Sequence, residues 1–338
     1  MIEMRLAADK AVRCFERPVP AARGDWVLVK LLSVPMCNEY HGYAEGKAAG
    51  VLGHEAAGVV EDPAASGRFK AGDRVVVMPQ LPCGHCRVCL EGEYIHCRQQ
   101  REAEAELEGD APVGTFAQYM LKPADQLVPV PDAMPLDHAA MACCGLGPSF
   151  GALERMQVDG DAALLVSGLG PVGLGGVIGG RHRKSLVVAS DPNPWRRQLA
   201  LDLGADHVVD PSRDGALAEV MDLTGGRGAD AAIECSGTVP GQEFCIEAAA
   251  VKGRLAVVGS SKGHASVHLG GTVLFKGLTI IGSWHYNRAS THRLLDQIGL
   301  VGNSIDRMIT HRFALTDLRE AWELQCTGEC GKVVLQPW

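Results

Sequence analysis

The feature that most constrains this chain is a glycine turn set between a strand and a helix. Residues 163–167 read ALLVS, a short apolar run, and Gly168-Leu169-Gly170-Pro171-Val172-Gly173 follows at once. A GxGxxG pattern alone is weak. Placed after a strand and before a small-residue helical stretch, it lets backbone amides approach a pyrophosphate at a helix N-terminus. Five further apolar runs alternate with helical stretches: LVVAS (186–190), HVVD (207–210), AAIEC (231–235), LAVVG (255–259) and LTIIG (278–282). That alternation is the pattern of βαβ units, and six such strands make a full doubly wound parallel sheet. The stretch LGGVIGG (174–180) carries glycines that each cost a helix ~1 kcal/mol relative to alanine, which close approach to the sheet or a cofactor would explain.

Before about Phe150 the texture is different. WVLVKLLSV (26–34), AAGVVE (56–61), DRVVVM (73–78) and TFAQYMLK (115–122) are strand-like runs separated by Gly, Pro and Asp, the pattern of an all-β unit. At 338 residues the chain exceeds one hydrophobic core, so two domains are expected. Beyond Trp284 the alternation stops: THRLLDQIGL, MITHRFAL, LREAWELQ and KVVLQ read as a return to the first unit rather than an extension of the second. No window reaches the length of a membrane span, and MIEMRLAADK is too charged for a secretory signal, which places the chain in the cytoplasm. The net charge of -8 without a basic run argues against nucleic acid and anionic membranes. The acidic run REAEAELEGD (101–110) reads as a solvated surface loop.

Twelve cysteines without an export signal point to metal or redox chemistry rather than disulfides. Cys83-x2-Cys86-x2-Cys89-x7-Cys97 places four thiols in a Gly-containing loop, the spacing of a closed, fold-stabilising zinc site. The alternatives are an iron–sulfur site, or His85 or His96 in place of one thiol. A second set begins at Cys37, seventeen residues ahead of His54 in Gly53-His54-Glu55; a thiolate with an imidazole suits zinc. Asp191 closes the second parallel strand, 23 residues beyond Gly168, where a carboxylate accepts hydrogen bonds from a ribose diol and repels a 2′-phosphate. This favours NAD over NADP, although Arg196 and Arg197 can pair with a phosphate.

With these motifs together the chain resembles, over essentially its whole length, the zinc-dependent medium-chain dehydrogenase/reductase family of alcohol, sorbitol and threonine dehydrogenases. The resemblance implies an α/β protein. A GroES-like β-barrel catalytic domain (1–146 and 285–338, with a structural zinc lobe at 80–100) would be joined to a Rossmann NAD-binding domain (147–284). It implies two zincs per chain and NAD as cofactor. Cys37 and His54 match the first two catalytic zinc ligands, Glu55 the acidic neighbour, and Cys144 the third ligand better than Cys143. Cofactor contacts are expected from Gly168, Gly170, Pro171, Val172, Gly173, Asp191 and Arg196. By position in the family fold, Val258, Gly259, Ser260 and the turn Gly282-Ser283-Trp284 join them.

The departure from the family is Glu39, where Ser or Thr usually takes the proton of the zinc-bound alcohol. A carboxylate in a partly dry pocket beside a charge-neutral zinc centre has its pKa raised, which suits a general base. Glu39 is therefore expected to act as base, with His41 passing the proton outward; the alternatives are that it binds a substrate group or a partner near the metal. Glu39, Tyr40, Tyr43, Trp284, His285, Tyr286 and Asn287 give a polar pocket, pointing to hydride transfer between NAD and a polar secondary alcohol such as a polyol, sugar derivative or amino alcohol. The competing readings are an NAD(P)-dependent oxidoreductase for small apolar alcohols or aldehydes, and a non-catalytic nucleotide-binding relative. A homodimer or homotetramer joined through the sheet edge is expected.

Overall fold

The computed structural model describes residues 1–7, 11–47, 52–109 and 114–338. The segment 48–51 inside the Cys37–Glu55 stretch, and Asp110 at the end of the acidic run, lie outside them. The chain divides into two compact units. The first holds Met1–Cys144, Asn287–Gly302 and Ile309–Trp338; the second holds Gly145–Tyr286 and Asn303–Met308. The sequence placed all of 285–338 with the first unit. Asn303–Met308 packs with the second because Ile305 and Met308 are fully buried and Arg307 Nη1 donates to Asp202 O at 3.1 Å.

The first unit opens with an antiparallel hairpin of β1 (Ile2–Leu6) and β2 (Val12–Glu16). Its main sheet holds β3 (Trp26–Pro35), β4 (Ala56–Asp62), β5 (Arg74–Val77), β6 (Tyr119–Pro123) and β7 (Leu127–Pro129), and the C-terminal strands complete it. β3 reads as a nearly continuous apolar run because both its faces are covered. Val27, Val29 and Leu31 enter one core, whereas Trp26 and Leu28 pack with Ala103, Leu107 and Leu121 in another.

That second cluster corrects the reading of the acidic run as a solvated loop. Ala103–Glu106 is a short helix, and Ala103 and Leu107 are buried. Arg101 lies over the Trp26 ring at 4.7 Å while pairing with Asp25 and Glu106. The charges face outward, and two small apolar residues between them make the lid.

The second unit carries β8 (Ala163–Ser167), β9 (Leu186–Ser190), β10 (His207–Val209), β11 (Ala229–Glu234), β12 (Ala249–Val257) and β13 (Thr279–Gly282). All pair in parallel, in the order β10-β9-β8-β11-β12-β13. This is the doubly wound order, whose direction reverses between β8 and β11. The glycine-rich helix Pro171–His182 lies close on the sheet: a Cβ at Gly180 would stand 2.5 Å from Leu164 Cδ2. The helical cost of that glycine is offset by contact that no larger residue permits.

The tail re-enters the first unit as β14 (Ile309–Ala314) and β15 (Lys332–Gln336), which extend the sheet in the order β14-β15-β3-β4-β5-β7 with β6 paired to β3. The strands join in an open, branched path rather than a closed ring among the described residues. The tail strand β15 pairs antiparallel with the end of β3 through Val334–Pro35 and Leu335–Val34. This register brings the tail to the loop that follows β3, where Cys37 lies.

Candidate active site and metal centres

Cys37 leaves β3 on a loop fixed at both of its backbone groups. Its N–H donates to Glu39 Oε2 at 3.0 Å, and its carbonyl accepts from Gln325 Nε2 at 3.2 Å. The short helix Tyr40–Glu45 that follows is held by Tyr43, stacked on the buried Trp322 at 5.3 Å. His54 arrives on the turn before β4. Its Nδ1 stands 2.8 Å from Glu39 Oε1, which aims Nε2 at Cys144 Sγ, 3.2 Å away. One ligand atom from each of Cys37, His54, Glu55 and Cys144 falls within 4.8 Å of the others.

Cys143 turns the other way. It is fully buried, its thiol donates to Val77 O at 3.2 Å, and burial pushes it up to about 12. The adjacent pair thus divides into one sulfur in the cluster and one apolar filler.

Beneath the cluster, Glu55 is 0% exposed; its Oε1 accepts from Lys332 Nζ at 2.7 Å and its Oε2 from the Cys144 N–H at 3.1 Å. Lys332, on β15, is also 0% exposed. Burial opposes its charge, but Glu55 with Cys37 and Cys144 behind it holds the ammonium pKa above its usual range. The sequence reading missed Lys332 and Gln325. The available signal was a lysine inside the apolar strand KVVLQ, because a buried lysine requires an anion.

The geometry engages both oxygens of Glu39. Burial pushes its carboxyl up, but the contact with His54 and the backbone N–H of Cys37 more than reverse this, leaving it below the usual carboxylate range. A carboxylate engaged in this way is placed to orient the imidazole. His41 is exposed with its ring against Tyr40 at 4.1 Å, and no hydrogen bond joins it to Glu39 among the described residues. The pocket list shrinks as well. His285 and Tyr286 are buried and stacked at 4.6 Å, and Asn287 Nδ2 donates to Glu91 O and Glu93 Oε1. Trp284 is 54% exposed.

The donor sets fit zinc. The hydrogen bond between the Cys37 and Cys144 sulfurs, with His54 and Lys332 adding to it, holds the Cys37 thiol well below its usual range against burial and pushes the Cys144 thiol up, so the pair shares a proton that a bound metal would displace. In the lobe, the Sγ–Sγ separations are 3.9 Å (Cys83–Cys89), 3.4 Å (Cys86–Cys89), 3.8 Å (Cys86–Cys97) and 3.7 Å (Cys83–Cys97). Disulfides are far shorter, and the edge of a tetrahedron with Zn–S near 2.3 Å is about 3.8 Å. The cluster consists of the four thiols alone; His85 bonds instead to the Cys83 carbonyl through Nδ1 at 2.9 Å.

In the second unit, Gly168 adopts φ +85° and Leu169 N–H donates to Asp191 Oδ2 at 2.7 Å, tying the glycine turn to the end of β9. Pro171, Val172 and Gly173 form the first turn of the helix, and Gly170 caps it. Asp191 Oδ1 also accepts from Asn193 N–H at 2.8 Å. Arg196 Nη1 stands 4.0 Å from Asp191 Oδ2, whereas Arg197 is taken up by Asp210 at 3.2 Å and the Asp191 carbonyl. Val258 and Gly259 follow β12, and Ser283, 1% exposed, follows β13.

A parallel sheet with a phosphate-type turn at its switch point, in one chain with an imidazole–dithiolate centre and a four-thiolate centre, defines a class: oxidoreductases that pair zinc with a nicotinamide cofactor. Residues 23–132 match the alcohol dehydrogenase GroES-like domain and residues 171–299 the zinc-binding dehydrogenase family. The chain is 30% identical over 332 residues to the L-threonine 3-dehydrogenase of Pyrococcus horikoshii, covering 94% of this chain and 93% of that protein. It is 29% identical over 336 residues to the sorbitol dehydrogenase of Bacillus subtilis, covering 95% and 92%. Among solved structures, an NAD-dependent alcohol dehydrogenase superposes with a TM-score of 0.84 at 25% identity over 100% of both chains. The chain belongs to the zinc-dependent medium-chain dehydrogenase/reductase family. It is a zinc-binding dehydrogenase of the alcohol dehydrogenase type. No helix among the described residues is long and apolar enough to cross a membrane.

Proposed function

We propose that this enzyme moves hydride between NAD and a polar secondary alcohol, at a zinc held by Cys37, His54 and Cys144. The observation that carries the proposal is the convergence of those three side chains, from three separate segments, within 4.8 Å. Bound there, zinc would supply Lewis acidity toward the substrate oxygen, and NAD would supply the hydride acceptor. The chain's residues set the conditions. Glu39 holds the imidazole with Nε2 toward the centre, and Glu55 fixes the Cys144 backbone. Lys332 balances the buried Glu55 charge. Cys83, Cys86, Cys89 and Cys97 hold the second, structural zinc.

NAD is proposed to lie on Gly168, Gly170, Pro171, Val172 and Gly173, with Asp191 and Arg196 at the adenosine ribose and Val258, Gly259 and Ser283 along the nicotinamide half. The carboxylate of Asp191 favours NAD over NADP. With Glu39, His285, Tyr286 and Asn287 otherwise engaged, the polar-substrate reading now rests on the threonine and sorbitol dehydrogenase relatives. The NAD-dependent alcohol dehydrogenase likeness favours the second reading, a simple alcohol.

The test is a panel of polyols, amino alcohols and simple alcohols followed by NADH absorbance, with NADP in parallel and zinc content measured. Turnover confined to simple alcohols would overturn the polar-substrate reading. About one zinc per chain with no turnover on any member would favour a non-catalytic relative. We place the enzyme in the cytoplasm, in keeping with twelve free cysteines. A homodimer or homotetramer is proposed to form through edge strand β13, where Ile280 is 43% exposed, near the exposed Leu274 and Phe275.

A further inference from the structure

β11 ends at Glu234, a carboxylate with 0% exposure. Its neighbours across the sheet are Ser167 of β8 and Val257 of β12, so it stands at the switch point. Three strand ends are laced there. The Glu234 carbonyl accepts from Val258 N–H at 2.9 Å and Gly259 N–H at 2.8 Å, and Cys235 N–H donates to Ser167 O at 2.8 Å. The side chain then curls back over its own strand end. Oε1 alone accepts from Ser236 N–H at 2.7 Å, Ser236 Oγ at 2.5 Å and Gly237 N–H at 3.0 Å. The turn so formed leads into the helix Val239–Ala248, whose N-cap Thr238 accepts from Gly241 N–H at 3.2 Å.

Two loops rest on the backbone of this turn. A Cβ at Gly168 would lie 2.4 Å from Ser236 N, and a Cβ at Gly259 would lie 2.3 Å from Gly237 N. Neither loop can settle lower, and neither keeps its seat if the turn moves. With an apolar residue at 234, the N–H groups of the exposed Ser236 and the half-buried Gly237 would lose the shared acceptor that shapes the turn, and the Ser236 hydroxyl would keep only Thr238 Oγ1 at 2.9 Å.

We propose that Glu234 is a positioning residue for NAD. Its Oε1 builds the Ser236–Gly237 turn that seats both the pyrophosphate loop Gly168–Gly173 and the loop Val258–Ser260, so cofactor affinity depends on a side chain buried beneath them. The inference rests on the reading of these loops as the NAD site. Oε2 has no hydrogen-bond partner among the described residues, and burial pushes the carboxyl pKa up against the three bonds to its partner oxygen. The acceptor oxygen, rather than a negative charge, is therefore the useful part, and glutamine should substitute for glutamate.

The experiment uses the full-length, zinc-loaded enzyme and measures NADH dissociation constants by fluorescence, zinc content and thermal unfolding. Glu234→Leu should weaken NADH binding roughly 10-fold, the scale of the net loss of one or two hydrogen bonds, with zinc content unchanged. Glu234→Gln should bind close to wild type, and Ser236→Ala, which removes one of the three donors, should fall between. The KM for NAD should rise with the dissociation constant, while kcat at saturating NAD moves less. Wild-type NADH affinity in Glu234→Leu overturns the proposal, as does Glu234→Gln binding as weakly as Glu234→Leu. If Glu234→Leu does not fold, wild-type affinity in Ser236→Ala overturns it instead. Asp191→Ala separates the two levels of the argument. Weakened binding there with intact binding in Glu234→Leu sinks only the Glu234 proposal, whereas intact binding in both sinks the cofactor site itself.

Discussion

Replacing Lys332 with methionine tests whether the tail strand holds the metal centre electrostatically or merely by packing. Lys332 Nζ lies 2.7 Å from Glu55 Oε1, and neither side chain is exposed. At an effective dielectric constant of about 20, their attraction is roughly 6 kcal/mol, against a desolvation penalty of several kcal/mol for each ion. The pair as a whole therefore comes close to breaking even, whereas Lys332→Met removes the cation beneath a carboxyl whose pKa burial already raises to about 7, at up to about 3–5 kcal/mol where Glu55 stays charged. For a unit of this size that corresponds to a fall in melting temperature of roughly 6–20 °C.

Because Glu55 Oε2 also accepts the Cys144 N–H, displacement of Glu55 should loosen the third metal ligand. Zinc content in Lys332→Met should drop toward one per chain, with the four-cysteine lobe still loaded. The double variant Lys332→Met/Glu55→Gln removes both charges and should recover most of the lost stability. The assay is a double-mutant cycle by calorimetry of zinc-saturated protein, with zinc content measured for each variant. If the double variant is as unstable as the sum of the single ones, the two residues are not coupled and the reasoning fails.

Two further outcomes follow from buried or engaged charges. Burial lowers the Lys122 ammonium to about 7, with Cys143 and Asp125 opposing the shift, so the unfolded chain binds the extra proton between about pH 7 and 10. The penalty is absent above that window, grows as pH falls through it by at most about 1.4 kcal/mol per pH unit, and saturates below about 7. Lys122→Met should therefore raise the melting temperature at pH 7 and remove this part of the alkaline gain; an unchanged wild-type-minus-variant difference from pH 7 to 10 would refute it. Glu39→Gln should weaken catalytic zinc binding by about 10–100-fold in chelator competition while the pH–rate profile keeps its shape. Loss of a limb of that profile at full zinc loading would restore the base reading.

The sequence was most legible where chemistry and periodicity are local. The six parallel strands came from apolar runs within a residue or two of their final bounds, except β12, which begins earlier, at Ala249. The four-thiol lobe needed only spacing. The hairpin β1–β2 went unread because all but one residue of its second strand face solvent, leaving no alternation to detect. The acidic run went wrong for a related reason: Ala103 and Leu107 are outnumbered by charges, yet they are the residues that pack against Trp26.

The site was legible in its ligands and illegible in what supports them, and Glu39 shows why. Position alone put a carboxylate two residues after a metal cysteine, and a neutral metal centre then argued for a raised pKa. That inference treated the surroundings as an unstructured dry medium. The fold instead supplies a hydrogen-bonding environment: Nδ1 of His54 on one oxygen and the Cys37 N–H on the other. Glu55 shows the other outcome: burial leaves its carboxyl pKa raised to about 7, although Lys332, 277 residues away, pulls it down. Burial can be guessed from sequence, but how far a partner offsets it is set by the fold, and here a tail strand parallel to one neighbour and antiparallel to the other delivers that partner to Glu55. In this chain the metal ligands specify the chemistry, and the C-terminal strand supplies the buried cation beneath them.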